Sequence, residues 1–219
     1  MPKNNNIMIN IYDILKDIVF ENPIVFEIGV HKGQDTKKLL DVFKNVNYYG
    51  FECDPRNIAN IKTNSVYDKI TLVEFAVSNK NGVADFYMSN GTPQTHSINN
   101  TASSSLHEPT GHLERWKWVT FERPIQVNTC TLDTFCQENN IDHIDFIWAD
   151  VQGGEYNMIL GAQNILKFTR YLYTEYSNVE LYKDQKPLND LLKILPGNWS
   201  VVKDFRSDVF LKNIDLYCK

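Results

Sequence analysis

Two glycine-containing turns, each following an apolar run, contain the residues of this chain best suited to bind a charged ligand. The first turn reads Glu27-x-Gly29-x-His31-x-Gly33. Glycine at a strand-to-helix turn lets the backbone approach a ligand closely. The next apolar run carries Glu52 near its end, and a carboxylate there can accept both hydroxyl protons of a ribose. Together these features predict a site for a nucleotide-like cofactor.

The number of glycines in the first turn bears on the class of that cofactor. A dinucleotide fingerprint GxGxxG has three glycines, whereas this turn has two, and His31 would crowd a bound pyrophosphate. The amino-acid end of S-adenosylmethionine is smaller and demands less of the backbone. We therefore expect S-adenosylmethionine and keep an NAD-dependent oxidoreductase as the alternative.

Ala76 and Val77 end the third predicted strand and are candidates for the wall beside the adenine. Asp54 is expected to cap a helix.

The second turn, Asp150-Val-Gln-Gly-Gly-Glu155, follows another buried run and places an acid where open α/β sheets bind ligands. Asp150 is the candidate general base, with a metal ligand or an anchor for the cofactor's amino acid as alternatives. Glu175 ends the next predicted strand and should face the same crevice. Two carboxylates can hold a divalent cation, but they are few ligands for a metal site, so we expect a metal-independent reaction. Glu155 either contacts the substrate or only interacts favourably with the dipole of the helix predicted at 155–167.

A polar segment, 89–118, separates the two halves of the chain. Loops of this length inside a domain tend to be lids or binding loops, and this one carries His96, His107, His112 and Ser105. A histidine there could accept a proton from a substrate hydroxyl, although loop histidines are mostly solvated. We take His112 as a substrate candidate and Ser105 as a cofactor candidate. The segment is predicted to cover the acceptor.

The apolar runs that must position these residues follow the order β-α-β-α-β, an insertion, then β-α-β-α-β-β. This order predicts a Rossmann-like α/β fold with a mostly parallel seven-stranded sheet, an antiparallel last strand and helices on both faces. The chain is expected to form one domain, 1–219, with an N-terminal helical segment at 1–22. A turn at 79–82 predicts a hairpin or bend, and turns at 197–198 and 212–213 bound the last strands. The predicted strands are 24–29, 48–53, 70–77, 83–88, 125–130, 144–149, 170–176, 199–211 and 214–218, and the predicted helices include 9–21, 34–44, 55–62, 155–167 and 187–195.

Composition restricts the partners and the compartment. The chain has 219 residues, 42% of them hydrophobic, and a formal net charge of −5, which gives no general attraction for nucleic acid. It begins without a signal pattern, and no apolar run reaches membrane-spanning length. We therefore expect a cytoplasmic protein without a nucleic-acid or membrane partner. The four cysteines form no CxxC pair, so zinc-type spacing is absent.

From Ile24 to about Glu175 the chain resembles the FkbM-type class I methyltransferases. The agreeing pieces are Phe26-Glu-Ile-Gly29 with Gly33, Tyr49-Gly-Phe-Glu52-x-Asp-Pro55, Ala76-Val-Ser-Asn79 before Gly82, Ser104-Ser-Leu106, Thr131-Leu-Asp133, and Ile144-Asp-Phe-Ile-Trp-Ala-Asp-Val-Gln-Gly-Gly-Glu155 with Leu160-Gly-Ala162. The resemblance implies methyl transfer from S-adenosylmethionine to a hydroxyl, often on a sugar or a polyketide-type natural product. Many members carry lysine where this chain has Trp148, glutamate where it has Gln152 and asparagine where it has His31, so a role of that family lysine or glutamate does not carry over to Trp148 or Gln152.

The sequence thus predicts an S-adenosylmethionine-dependent O-methyltransferase acting on a sugar or glycan hydroxyl. A non-sugar natural product as acceptor, or a non-catalytic nucleotide- or sugar-binding module, are the alternatives. The expected cofactor contacts are Glu27, Gly29, His31, Gly33, Glu52, Ala76, Val77, Ser105 and Asp150. The expected substrate contacts are His112, Gln152, Glu155 and Glu175, with Asp150 as the catalytic base.

Overall fold

The computed structural model describes residues 10–18, 20–91 and 100–217. The helices are α1 (Ile11–Lys16), α2 (Gln34–Val42), α3 (Pro55–Ile61), α4 (Gly111–Arg115), α5 (Leu132–Glu138), α6 (Glu155–Leu160) and α7 (Leu188–Ile194). The strands are β1 (Ile24–Ile28), β2 (Asn47–Phe51), β3 (Thr71–Val73), β4 (Ala76–Val77), β5 (Gly82–Phe86), β6 (Ser89–Asn90), β7 (Thr120–Phe121), β8 (Ile125–Cys130), β9 (Ile144–Ala149), β10 (Thr169–Glu175), β11 (Trp199–Asp204) and β12 (Asp208–Asn213).

Seven of these strands form the main sheet, in the order β11-β12-β10-β9-β1-β2-β3. The neighbours from β10 to β3 run parallel, whereas β12 is antiparallel to both β10 and β11. β12, the last strand, therefore lies between β10 and β11 and runs in the opposite direction to both. These findings confirm the predicted fold class. The carboxyl ends of β1, β2 and β9 meet at one edge, which is where sheets of this kind bind ligands.

Strand β9 is buried on both faces because helices cover both sides of the sheet. Phe146 and Trp148 pack toward the face covered by α1 and α2, together with Leu39. Ile147 packs toward the opposite face, together with Met158 of α6. The apolar residues of β9 therefore pack into two cores, one on each face of the sheet. Both cores hold the position of the turn that follows β9.

The predicted strand 70–77 is wrong, because β3 and β4 are separate strands in different sheets. Glu74 and Phe75, between them, are exposed, and Glu74 pairs with Lys62 at the end of α3. β4 pairs in parallel with β8, and β5 pairs antiparallel with the other edge of β8. The turn at 79–82 is therefore a bend that takes the chain from one edge of β8 to the other. β4 and β5 do not pair as a hairpin.

The last hairpin turns earlier than the sequence predicts. β11 ends at Asp204 and β12 begins at Asp208, so the turn comprises 205–207. Arg206 adopts a left-handed conformation with φ 78°, and its backbone N–H donates to Asp204 Oδ1 at 2.6 Å. Arginine is not a residue that signals such a turn, which is why the sequence favoured 212–213. Residues 214–216 form a 3-10 turn, so the predicted strand 214–218 is also wrong over its described residues.

Two predicted helices are shorter than expected. α1 covers only part of the predicted helix 9–21. The predicted helix 155–167 is interrupted after α6, and a separate 3-10 turn spans 165–168. A Cβ at Gly161 would collide with the backbone carbonyl of Ser78, and the Asp133 carboxylate accepts the N–H groups of Asn164 and Ile165. These tertiary contacts end the helix where its own sequence would allow it to continue.

The polar segment 89–118 is described at 89–91 and 100–118, while His96 lies outside the described residues. Its described parts are attached to the rest of the protein: β6 pairs with β7, and Tyr87 and Ser105 exchange two backbone hydrogen bonds. Within the described ranges, none of the helices has the length and apolar character that a membrane span requires.

Candidate active site

A cavity of about 350 Å³ lies at the carboxyl ends of β1, β2 and β9. Its volume is within the range of about 300–1,000 Å³ that is usual for small-molecule and cofactor sites. The wall includes eight of the predicted site residues: Gly29, His31, Glu52, Ala76, Val77, Ser105, Asp150 and Gln152. It does not include the other five: Glu27, Gly33, His112, Glu155 and Glu175.

The first glycine turn brings β1 against the turn that follows β9. Gly29 has φ 93°, and a Cβ at this position would collide with the backbone carbonyl of Asp150. Only glycine satisfies both constraints, so Gly29 sets the distance between the two turns. Gly33, with φ 79°, is the N-cap residue of α2 and lies behind the cavity wall. Its part in the turn is thus to begin the helix.

Glu27 lies beneath the turn and is 1% exposed. Its Oε2 accepts hydrogen bonds from the hydroxyls of Thr36, at 2.5 Å, and Tyr48, at 2.7 Å. Burial raises the pKa of Glu27 to about 8, against the two hydroxyl donors, which lower it. Glu27 therefore links β1 to α2 and β2, and its predicted contact with the cofactor has no support in the geometry.

Glu52 and Asp54 take different parts, as the sequence predicts. Glu52 lines the cavity, and its Oε1 accepts the N–H groups of Cys53 and Asp54 at 2.8 Å each. Its Oε2 accepts the His31 N–H at 2.7 Å. Burial raises the pKa of Glu52 to about 7. Asp54 caps α3 by accepting the Arg56 N–H, which confirms the predicted cap.

The cavity has an apolar end beyond Glu52. Phe75, Ala76 and Val77 form this wall from one side, and Phe86 and Leu106 complete it. A flat heterocycle can exchange water for these apolar side chains, and the adjacent Glu52 carboxylate suits ribose hydroxyls. Beside them, Gly29 has no side chain and so leaves the backbone accessible to a ligand. The residues present therefore fit the nucleoside and amino-acid parts of S-adenosylmethionine.

Three carboxylates meet at the second turn, where an oxygen of Asp150, of Glu155 and of Glu175 lie within 4.8 Å of one another. The Gln152 Nε2 donates to Asp150 Oδ1 at 2.7 Å and to Glu175 Oε2 at 2.8 Å. Burial, and then the charge of Asp150, raise the pKa of Glu175 to about 11. Glu175 thus keeps its proton at neutral pH and sits beside the cavity wall.

Glu155 stabilises the turn itself. It is 2% exposed, and its Oε1 accepts the N–H groups of Val151, at 3.2 Å, and Gly153, at 3.3 Å. Burial raises its pKa to about 7. Because these N–H groups belong to the approach to α6, the helix-terminus interpretation fits Glu155 better than a substrate contact. Gln152, with φ 50°, lines the cavity from the same turn.

The segment 100–106 is fastened over the cavity by hydrogen bonds to both turns. The Thr101 hydroxyl donates to Asn57 Oδ1 at 2.9 Å, so it accepts from His31 Nε2 at 2.7 Å. The Ser105 hydroxyl donates to the backbone carbonyl of Gln152 at 2.7 Å. Burial lowers the pKa of His31, which keeps the ring neutral and suited to this donor role. Thr101 and Asn57 were not among the predicted residues, and no motif marks them.

His112 lies away from the cavity. Its ring is 3% exposed and packs against Trp116, Phe121 and Tyr182. Burial lowers its pKa, and Nδ1 has no hydrogen-bond partner among the described residues. The predicted substrate contact of His112 therefore has no support in the geometry. The aromatic neighbours hold α4 against the residues that follow β10.

A mostly parallel sheet with an antiparallel β12, and a cavity at the carboxyl ends of β1 and β2, are the features of the class I methyltransferase fold. The crystal structure of a methyltransferase FkbM from Methylobacillus flagellatus KT has this fold, with a TM-score of 0.50 and 14% sequence identity. The similarity covers 89% of this chain and 44% of that chain, so this chain spans less than half of that relative's length.

The model of the methyltransferase FkbM domain matches residues 27–206. The chain is also 38% identical over 200 residues to the 2-O-methyltransferase NoeI of Sinorhizobium fredii (strain NBRC 101917 / NGR234), covering 89% of this chain and 81% of that protein. The chain therefore belongs to the FkbM methyltransferase family. It is an enzyme that uses S-adenosylmethionine, which confirms the predicted class and cofactor and overturns the NAD-dependent alternative.

Proposed function

We propose that this enzyme transfers a methyl group from S-adenosylmethionine to a sugar hydroxyl, and that the 2-hydroxyl is its target. The observation that carries the proposal is the exposed Asp150 carboxylate at the cavity, next to the turn formed by Gly29. The relative NoeI is named a 2-O-methyltransferase, which supports the choice of position.

The chain contributes a binding frame for the cofactor. Phe75, Ala76 and Val77 would bind the adenine, Glu52 the ribose hydroxyls, and the turn at Gly29 the amino-acid end. When bound, the cofactor would supply an electrophilic methyl group on a sulfonium ion, from which a neutral thioether departs as a good leaving group. The residues of the chain therefore accelerate the reaction mainly by holding an acceptor oxygen in line with that methyl group.

Asp150 would accept the proton of the acceptor hydroxyl as its oxygen attacks. The amide of Gln152 holds Asp150 Oδ1 at 2.7 Å, which fixes the orientation of the carboxylate. Burial and the charge of Asp150 raise the pKa of Glu175, which favours its neutral, protonated form. The Gln152 amide donates to both carboxylates and so lies where a bridging cation would bind, which favours proton transfer without a metal.

A methyl-transfer assay tests the proposal. The enzyme is incubated with S-adenosylmethionine and a panel of neutral hexosides, free and within oligosaccharides, and the methylated position is read by NMR. We expect a 2-O-methyl sugar, formed equally well in the presence of EDTA. Transfer only to non-sugar hydroxyls, or to another position of the ring, would contradict the proposal. Activity that EDTA abolishes and magnesium restores would contradict its metal-independent form.

A further inference from the structure

The cavity continues beyond the residues that the cofactor accounts for. Its apolar end follows β3, whereas Trp148 and Asp150 belong to β9 and its turn. β9 and β3 are separated by β1 and β2, and neighbouring strands lie about 4.8 Å apart, so the two ends are about 14 Å apart. The distant end is lined by Gln34, Asp35 and Lys38 in addition to Trp148.

The wall at this end is rigid. Trp148 packs against two aromatic rings, Tyr12 at 5.6 Å and Tyr173 at 4.3 Å between ring centroids. Both neighbours limit the rotation of the indole, which is 8% exposed and presents a fixed apolar edge to the cavity. An apolar wall of this kind suits the C–H groups of a saturated ring.

Charged hydrogen-bonding groups adjoin this wall. The Tyr12 hydroxyl donates to Asp35 Oδ1 at 2.6 Å, and Lys38 Nζ donates to the same oxygen at 2.8 Å. Lys38 also lies over the Tyr12 ring, 5.1 Å from its centroid. The side chains of Asp35 and Lys38 are 41% and 56% exposed, so they can also reach a ligand. A carboxylate and an ammonium beside an apolar wall match a ring that carries hydroxyl groups.

The charge at this end restricts the kind of ring. Asp35 pairs with Lys38, whereas the neighbouring Asp150 has an amide, Gln152, as its hydrogen-bond partner. An acidic ring would therefore bring a second negative charge toward Asp150, while the lysine that lines this end, Lys38, already pairs with Asp35. A neutral ring avoids that repulsion.

We infer that Trp148, Asp35 and Lys38 form the acceptor subsite and that it takes a neutral pyranose ring in preference to the corresponding uronic acid. The inference rests on the proposed function, since it names where that acceptor binds. Tyr12 is a positioning residue, because it orders Asp35 and one face of Trp148 without lining the cavity.

The test compares Asp35→Asn and Lys38→Met with the matched controls Asp41→Asn and Lys37→Met, which alter exposed residues of the same helix outside this cavity. We expect the KM for a neutral hexoside to rise about tenfold in each subsite variant, the effect of losing a hydrogen bond to a charged group. The Kd for S-adenosylmethionine, measured by isothermal titration, should change less than about twofold. Both controls should behave as the wild type.

A third subsite variant, Trp148→Phe, keeps an aromatic wall of smaller area and should raise the same KM while thermal unfolding confirms that the protein is folded. The wild-type enzyme should prefer a methyl hexoside to the matching hexuronic acid. Wild-type methylation of sugars with unchanged KM in the subsite variants would overturn the subsite and leave the proposed function intact. A wild type that binds S-adenosylmethionine but methylates no sugar would overturn both.

Discussion

At the scale of single residues, Asp150 is the side chain on which proton transfer depends. Asp150→Asn keeps the size of the side chain and an oxygen that can accept from Gln152, but it removes the base. We expect kcat to fall about 100-fold or more, with the fold intact. The measurement is steady-state kinetics beside circular dichroism, with Asp68→Asn, at an exposed position, as the control.

Two results of that experiment would assign Asp150 differently. Normal turnover in the variant would exclude the residue as the base. A weaker affinity for S-adenosylmethionine with unchanged kcat would assign it to cofactor binding, one of the two alternatives that the sequence proposes for it.

Glu27 determines part of the pH dependence of stability. Its pKa is about 8 in the folded protein, against 4.5 for an unperturbed glutamate. Between these values the folded state holds a proton that the unfolded chain has released, so stability is lost as the pH rises. We expect the free energy of unfolding to fall by a few kcal/mol between about pH 5 and pH 8.

Glu27→Gln removes that titration while keeping an acceptor for Thr36 and Tyr48. Denaturant unfolding at both pH values should therefore show a smaller fall in the variant than in the wild type. Glu21→Gln, at an exposed position, is the control and should reproduce the wild-type fall. Equal pH dependence in wild type and Glu27→Gln would show that another group is responsible.

At the scale of elements, the junction between the turns after β1 and β9 depends on one glycine. Gly29→Ala both strains a backbone with φ 93° and drives a Cβ into the Asp150 carbonyl. Gly82→Ala strains a backbone with φ 139° but meets no atom within 4 Å. We expect Gly82→Ala to cost about 1–2 kcal/mol, and Gly29→Ala to cost more and abolish cofactor binding.

Denaturant unfolding and isothermal titration with S-adenosylmethionine measure the two effects separately. Because both variants change a glycine with positive φ, their difference isolates the collision between the turns. Equal stability losses, with cofactor affinity retained in both, would mean that the turns can separate without consequence.

At the scale of the whole molecule, cofactor binding should stabilise the native state by mass action. At a concentration one hundred times its Kd, S-adenosylmethionine adds about 2.7 kcal/mol to the free energy of unfolding. For a chain of 219 residues this corresponds to a rise in Tm of about 5–10 °C. Differential scanning fluorimetry with NAD at the same concentration is the control. An equal rise with NAD, or no rise with either ligand, would contradict the assignment of the cavity.

The sequence by itself determined the fold class and the sites that lie at strand ends. An apolar run followed by a glycine or an acid is a local pattern, and parallel strands bring their carboxyl ends to one edge whatever the rest of the chain does. Gly29, Glu52 and Asp150 could therefore be assigned to one cavity from their positions alone.

Only the tertiary structure decided which neighbouring residues face that cavity. Glu27 and His112 are buried outside it, whereas Asp35 and Trp148 line it, because packing between elements sets which face of each one is covered. The same holds for the break between β3 and β4, where pairing with β8 takes Ala76 and Val77 out of the main sheet. Burial and pairing depend on residues distant in the chain, so no local pattern in the sequence records them.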